Sequence, residues 1–316
     1  MGFDLSKRHL GMVEMTAAMI LSGSLGYFVV ASGLTADQAV FYRCLLGAYF
    51  LGGYGLYRGN LNFQAISPKY WALCLFCGVA IPVNWVMLFT AYQLSSISIS
   101  TAVYHTQPFF LLFLGVVFLR KRLSVQKILW ILLAFIGVIL AIDLSLSQIS
   151  LTSGYVLGLL LSFGSAFLYA LVTLITMRLT AIKPDVMALV QMTVGAIVLL
   201  PFMGGDGLPD LTLSHWHYIL LIGLVHTALK YILLYSALQK LKAPVVAVLS
   251  FIYPVVAIVI DVLFLDQVLT MAQIIGIFLI VFGGYAISMK LPFPYVEKSL
   301  KIGRKKPPKS KSLSGV

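Results

Sequence analysis

The sequence predicts an all-α membrane protein with ten transmembrane helices arranged as two inverted five-helix repeats. Three observations carry that prediction: an apolar composition, ten apolar runs of spanning length, and an internal repeat of five runs each. Of 316 residues, 60% are apolar and 10% charged, with a mean hydropathy of +1.00. A soluble domain carries roughly a quarter charged residues, so the chain belongs in a bilayer. The 22 basic residues against 10 acidic would suggest nucleic acid in a soluble protein. Here the charge lies in loops and sets topology, and no nucleic-acid partner is expected.

A hydrocarbon core of about 30 Å takes roughly 20 helical residues to cross. Runs of that length fall at 10–31, 37–57, 70–93, 97–119, 125–143, 153–177, 184–202, 216–239, 243–265 and 270–289. The first follows Lys7 and Arg8 as a signal peptide would, but it is too long for a typical leader and is read as uncleaved. The second ends at Arg58-Gly59-Asn60, a turn, with Tyr54 and Tyr57 before it and Tyr70 and Trp71 after it as interfacial anchors. The third contains Cys74 and Cys77 as a C-x-x-C pair. No second pair or histidine cluster completes a zinc site, so these and Cys44 are read as small packing residues, with no metal and no cofactor implied.

The fourth and ninth runs contain Pro108 and Pro254, and a proline frees the carbonyl one turn back. Such breaks are tolerated where backbone lines a cavity or finds a neighbour. Lys183-Pro184-Asp185 opens the seventh run, and Gly204-Gly205-Asp206-Gly207 with Pro209 follows it. Trp216 and Tyr218 anchor the start of the eighth. Past the tenth, the segment 290–316 has no apolar periodicity. Its lysines and Arg304 alternate with Pro307, Pro308 and serines, so a disordered tail is expected. It could lie on anionic lipid or simply remain solvated.

With ten spans the loops divide into two sets. One set holds Lys7 and Arg8, Arg58 and Lys69, Arg120, Lys121, Arg122 and Lys127, Arg178 and Lys183, Lys240 and Lys242, and eight basic residues from Lys290 to Lys311. The other holds no basic residue and carries Asp37, Asp143, Asp206, Asp210 and Asp266. The positive-inside rule then makes both termini cytoplasmic, in the inner membrane if the source is a Gram-negative bacterium. The domains expected are a cytoplasmic N-terminus at 1–9, a first five-helix repeat at 10–143, a second at 153–289, and the tail at 290–316.

A shift of 146 residues aligns 84–140 with 230–286 without a gap. It sets Pro108 on Pro254, Ala91 on Ala237, Gln93 on Gln239, Phe118-Leu119 on Phe264-Leu265 and Gly137 on Gly283. A shift of 148 earlier in the chain sets Asp37 on Asp185, Gly47 on Gly195 and Arg43 on Gln191. Five spans per repeat is an odd number, so the second repeat enters the membrane from the opposite side. Inverted repeats are a common architecture of secondary transporters, with a site near the midplane between the halves.

The chain also resembles the drug/metabolite transporter superfamily of EamA type over essentially all ten spans. The residues that carry the resemblance are Ser22-Gly23-Ser24, Asp37, Arg43, Ala91-Tyr92-Gln93, Thr106-Gln107-Pro108, Ser236-Ala237-Leu238-Gln239 and Tyr253-Pro254. Leu123-Ser124 and Leu269-Thr270, each leading into a span that ends near Gly137 or Gly283, match as well. The resemblance implies transport of a small metabolite, usually export, through a central cavity, with the fifth and tenth helices peripheral and open to homodimer contact. Ser22 stands where the family usually has Trp, and Lys121 and Gln267 where it has Glu, so the resemblance assigns no substrate.

Ionisable groups inside spans cost roughly 3 kcal/mol or more and must face protein or water. Glu14 lies shallow enough to reach interfacial water. Arg43 and Asp261 fall at similar depth and are expected to form a structural ion pair, although Arg43 could equally serve substrate. Lys230 lies about ten residues from the nearer end of its span, with His226 one turn earlier on the same face. The repeat maps Lys230 onto Asn84 and Tyr231 onto Trp85. An inward cluster of Asn84, Trp85, His226, Lys230 and Tyr231 would offer a cation, donors and stacking surfaces to one small molecule, and a lysine there suits a carboxylate or phosphate. Alternatively, Lys230 binds helix carbonyls or is neutral through desolvation. Tyr104, His105 and Gln107 before Pro108, and Tyr253 before Pro254, either line the same cavity or satisfy neighbouring helices.

These readings lead to a secondary transporter of a small polar or amphipathic metabolite, such as an amino acid or related organic anion, working by alternating access. Its direction is expected to be outward. An importer of a nucleotide-like, vitamin or S-adenosylmethionine-like solute shares every one of these features. A membrane-embedded enzyme would need a catalytic signature; no H-E-x-x-H, P-loop or serine elbow is present. If transport is proton-coupled, His105, His226 and Glu14 are the candidate carriers.

Overall fold

The computed structural model describes residues 5–59, 67–95, 97–119, 124–141, 152–204, 213–264, 270–289 and 291–293. Among these residues the regular structure is helical throughout. The first three spans are α1 (Leu5–Ala31), α2 (Ala36–Tyr57) and α3 (Pro68–Leu94). The fourth is two helices, α4 (Ile97–Tyr104) and α5 (Gln107–Leu119), and the fifth is α6 (Val125–Ala141). The second half repeats this order. It comprises α7 (Ser153–Thr176), α8 (Pro184–Leu199) with a 3-10 turn at Leu200–Gly204, then α9 (Leu213–Gly223), a π-helical turn (Leu224–Leu229) and α10 (Lys230–Lys240) as one span. The broken ninth span is α11 (Ala243–Leu249) and α12 (Ile252–Phe264), and the tenth is α13 (Met271–Ser288). Six of these helical runs are long and apolar enough to cross a membrane by themselves, and three more are shorter apolar helices.

Local chemistry sets the ends. Thr35 and Thr270 each form a capping box, with Gln38 and Gln273 returning the hydrogen bond, which satisfies donors that a helix start leaves open. Pro68 and Pro184 occupy first-turn positions, where no N–H is needed. Gly59, with φ 58°, takes the left-handed conformation that terminates α2.

The packing follows a two-fold relation between the halves. α1 packs on α10 and α12 as α7 packs on α3 and the α4–α5 pair, while α2 meets α8 and α6 meets α13. α3 lies on α8 as α9 and the π turn lie on α2. Gly11 faces Lys240 and Leu241 as Gly158 faces Leu94 and Ser95. At Gly23 a Cβ would sit 2.6 Å from the Tyr253 carbonyl, so only glycine lets α1 cross α12 this closely. The outward face is apolar, with Phe113, Leu160, Ile197 and Phe278 exposed, as a lipid-facing surface requires.

Three features refine the ten spans expected. α1 begins at Leu5 rather than residue 10, because the polar turn with Lys7 and Arg8 extends past the apolar stretch. The fourth and ninth spans break outright just before Pro108 and Pro254, where the missing N–H cannot close the preceding turn. The eighth span carries a π turn that no proline announces. There the Thr227 hydroxyl donates to the Ile222 carbonyl at 2.8 Å and satisfies an acceptor displaced by the wider turn.

Apart from Arg43 and Lys230, the described lysines and arginines stand at one end of the bundle, hereafter the basic end. The tail beyond residue 293 and its expected lipid contact lie outside the described residues.

Candidate substrate site

Four side chains from three spans converge in the middle of the bundle: Arg43 of α2, Trp85 of α3, and Lys230 and Tyr231 of α10. All four are buried, with relative exposures of 3%, 8%, 6% and 1%. The Arg43 guanidinium lies 4.2 Å from the centre of the Trp85 ring. Trp85 and Tyr231 meet edge to face at 6.3 Å, and the Lys230 ammonium stands 3.9 Å over the Tyr231 ring. Tyr231 is also a hydrogen-bonding neighbour of Arg43. A ring face attracts a cation by its quadrupole, by about 2 kcal/mol when the pair is desolvated. That is less than the cost of burying a full charge, so two cations resting on ring faces are only partly compensated.

His226 approaches from the π turn. Its Nε2 lies 3.5 Å from the Ser24 hydroxyl of α1, and its ring meets Phe28 edge to face at 4.3 Å. Its Nδ1 is buried without a hydrogen-bond partner among the described residues, as is the Nε of Arg43.

The two helix breaks face each other and form a second wall. The His105 ring lies 5.7 Å from Tyr253 and 6.4 Å from Phe251, and Tyr104 lies 6.1 Å from Tyr169 of α7. Gln107, at the start of α5, is buried. Tyr104 has Tyr92, Tyr169, Tyr231 and Tyr253 as electrostatic neighbours, so this wall adjoins the Arg43–Lys230 group. The result is a polar, tyrosine-rich interior bounded by both halves.

Not every expected residue joins it. The Asn84 side chain turns to α7, where its Nδ2 donates to the Ser165 carbonyl at 2.6 Å and hydroxyl at 2.7 Å, and Ser165 Oγ donates back to the Asn84 carbonyl at 3.0 Å. It fastens two helices. Glu14, expected to reach interfacial water, pairs instead with Lys240 at 2.5 Å and accepts from Ser236 at 2.9 Å. The Asp261 side chain lies outside those described. α12, which carries it, packs on α1, α6 and α13, whereas α2 packs on α3, α8, α9 and the π turn, and the Arg43 guanidinium rests on Trp85.

Tyr169 was missed, although a signal existed. Ser162, Ser165, Tyr169, Thr173 and Thr176 recur at helical spacing along one side of an otherwise apolar span, which marks an inward face. Among the described residues, no group of histidine, cysteine and carboxylate side chains could hold a metal ion.

Comparison with known proteins bears on family and fold. The sequence matches the EamA-like transporter family over residues 9–142 and again over 156–289. It is 30% identical over 283 residues to an uncharacterized transporter, YxxF, of Bacillus subtilis (strain 168), covering 90% of each chain. It is 27% identical over 261 residues to protein PecM of Dickeya dadantii (strain 3937), covering 79% of this chain and 83% of that one. A protein of known crystal structure superposes with a TM-score of 0.79 at 17% identity, over 91% of this chain and 97% of the other; that likeness is one of fold.

Proposed function

The chain belongs to the EamA-like transporter family, and from that premise we propose that this multi-pass membrane protein is a secondary transporter exporting a small polar or amphipathic metabolite. An amino acid or related organic anion is the class in view. The observation that carries the reading is the placement of Arg43, Trp85, Lys230 and Tyr231, all buried at mid-bundle where the two halves meet. Family membership supplies the transport, and the buried polar interior supplies the reason a polar solute would stop there.

Alternating access needs two halves that can exchange their packing. The two-fold relation supports this reading: α1 on α10 at the basic end has its counterpart in α7 on α3 at the opposite end. Opening one contact while keeping the other would expose the site to one side at a time. The basic end faces the cytoplasm in this reading, by the positive-inside rule, and both termini lie there. The peripheral α6–α13 pair is where a second copy would dock.

Proteoliposome transport tests the proposal. Purified protein is reconstituted and offered a panel of radiolabelled amino acids, organic acids, nucleotides and vitamins, with and without a pH gradient. Accumulation of at least one class above empty liposomes is expected. Uniform failure across the panel, with the protein folded and oriented, counts against the transporter reading.

A further inference from the structure

The two-fold relation that gives Asn84 a side-chain partner gives Lys230 none among the described residues. Asn84 and Lys230 are repeat counterparts, and Asn84 is fastened to Ser165 of α7 by hydrogen bonds in both directions. Lys230 should meet the matching face of α1. In the register set by Gly11 and Gly158, the counterpart of Ser165 is Ala18, which is fully buried, offers no side-chain acceptor, and has its carbonyl taken by the Ser22 hydroxyl at 2.8 Å. The ammonium instead rests on the ring of its own neighbour, Tyr231.

Arg43 makes this a two-cation problem. It is near enough to Lys230 for the two to repel, its Nε is buried without a partner among the described residues, and its guanidinium lies on Trp85, which touches Tyr231. Among the described side chains the carboxylates are Glu14, Asp37 and Asp185, each near an end of the bundle, and Glu14 is taken by Lys240. Two like charges beside one aromatic pair attract an anion strongly and repel any ammonium brought with it.

On the transporter reading above, we infer that the substrate is an organic anion without an ammonium group, its negative end held between Arg43 and Lys230 and a planar part lying along Trp85 and Tyr231. A phosphate monoester or aromatic carboxylate fits this description, and a zwitterionic amino acid does not. A bound anion accepts from both cations, drawing each off its ring face, and frees Trp85 and Tyr231 for stacking.

The test uses the full chain in lipid nanodiscs with four probes of similar ring size: phenyl phosphate, benzoate, phenylalanine and phenethylamine. Binding is read by thermal stabilisation and by tryptophan fluorescence. Phenyl phosphate is expected to bind most tightly, then benzoate, with phenylalanine weaker and phenethylamine silent. Lys230→Met and Arg43→Gln should each weaken phenyl phosphate binding by about 10- to 100-fold, the range for one charge-assisted hydrogen bond. Lys230→Arg and Arg43→Lys keep the charge and should keep the order of probes, so a variant that fails to fold does not decide the matter. Phenylalanine binding as tightly as benzoate, no binding of either anion, or full affinity in folded Lys230→Met each overturns the inference. Counterflow in proteoliposomes separates the two readings. Anions that bind in this order but never cross refute transport and leave the site, whereas a zwitterion that crosses in preference refutes the site and leaves transport.

Discussion

Glu14 of α1 and Lys240 of α10 form an ion pair at 2.5 Å that joins the two halves at the basic end of the bundle. Ser236 completes it, donating to the same carboxylate oxygen and accepting from the lysine at 2.6 Å. The other oxygen, Oε2, is buried without a partner among the described residues. Removing one charge leaves its partner half-buried and unpaired, so Lys240→Met or Glu14→Gln should lower stability by about 1.5 to 3 kcal/mol. The exchange Glu14→Lys with Lys240→Glu should recover most of it. Melting temperatures of the four proteins check this, and a double exchange no better than the singles would show that the pair holds nothing together.

Asn84 and Lys230 are equivalent in sequence and should behave oppositely on substitution. Asn84→Ala removes the two bonds its amide donates to Ser165 at the α3–α7 contact, leaving the serine hydroxyl only its bond to the residue 84 carbonyl, and should cost about 1 to 3 kcal/mol of stability, with little change in the affinity of whatever solute the protein transports. Lys230→Met should cost little stability and much affinity. Parallel melting and transport assays separate the two, and equal effects of both substitutions on both readouts would refute the assignment.

The fold was legible in the sequence because its causes are local or repeated. Span lengths follow from bilayer thickness, the basic residues sort the ends, and Pro108 and Pro254 mark helix breaks one turn before themselves. The site was legible only in part, because it depends on where neighbouring helices turn. Trp85 and Asn84 are adjacent on α3 yet face different partners, and no periodicity within α3 says which side meets α7. Depth alone matches Arg43 to Asp261, and nothing in depth foretells that the guanidinium rests on Trp85. The π turn before Lys230 rests on a hydroxyl, Thr227, that reads as an ordinary polar residue until its acceptor is seen.

Topology yields a labelling experiment. The three native cysteines, Cys44, Cys74 and Cys77, are buried, so a membrane-impermeant maleimide should leave the wild-type protein unlabelled in intact cells. Cysteines at Gly205→Cys and Ser145→Cys should label from outside, and Ser310→Cys only after permeabilisation. Labelling of Ser310→Cys in intact cells would reverse the orientation proposed from the basic end.

The π turn of the eighth span and the proline inside α3 fall at equivalent places in the two halves, and this makes Thr227 a specific target. In the repeat register the π turn of the eighth span corresponds to the stretch of α3 that contains Pro82. Each irregularity is packed against a glycine of the opposite half: Gly47 of α2 lies against Thr227, and Gly195 of α8 lies 3.7 Å, measured from a Cβ placed on it, from Pro82. α3 runs on as an α-helix through Pro82, where the proline's missing N–H leaves one carbonyl without its usual donor. The π turn is held by the Thr227 hydroxyl, 2.8 Å from the Ile222 carbonyl. Thr227→Val keeps the side-chain shape and removes the donor, so the carbonyl loses its partner at a fully buried position. A loss of about 1 kcal/mol is expected, together with faster amide exchange from Ile222 to Lys230, while Thr227→Ser should match wild type on both measures. Because Lys230 begins the helix that follows this turn, the Val variant should also shift probe affinity. A Thr227→Val protein with wild-type melting and exchange would mean that packing against Gly47, and not the hydroxyl, sets the turn.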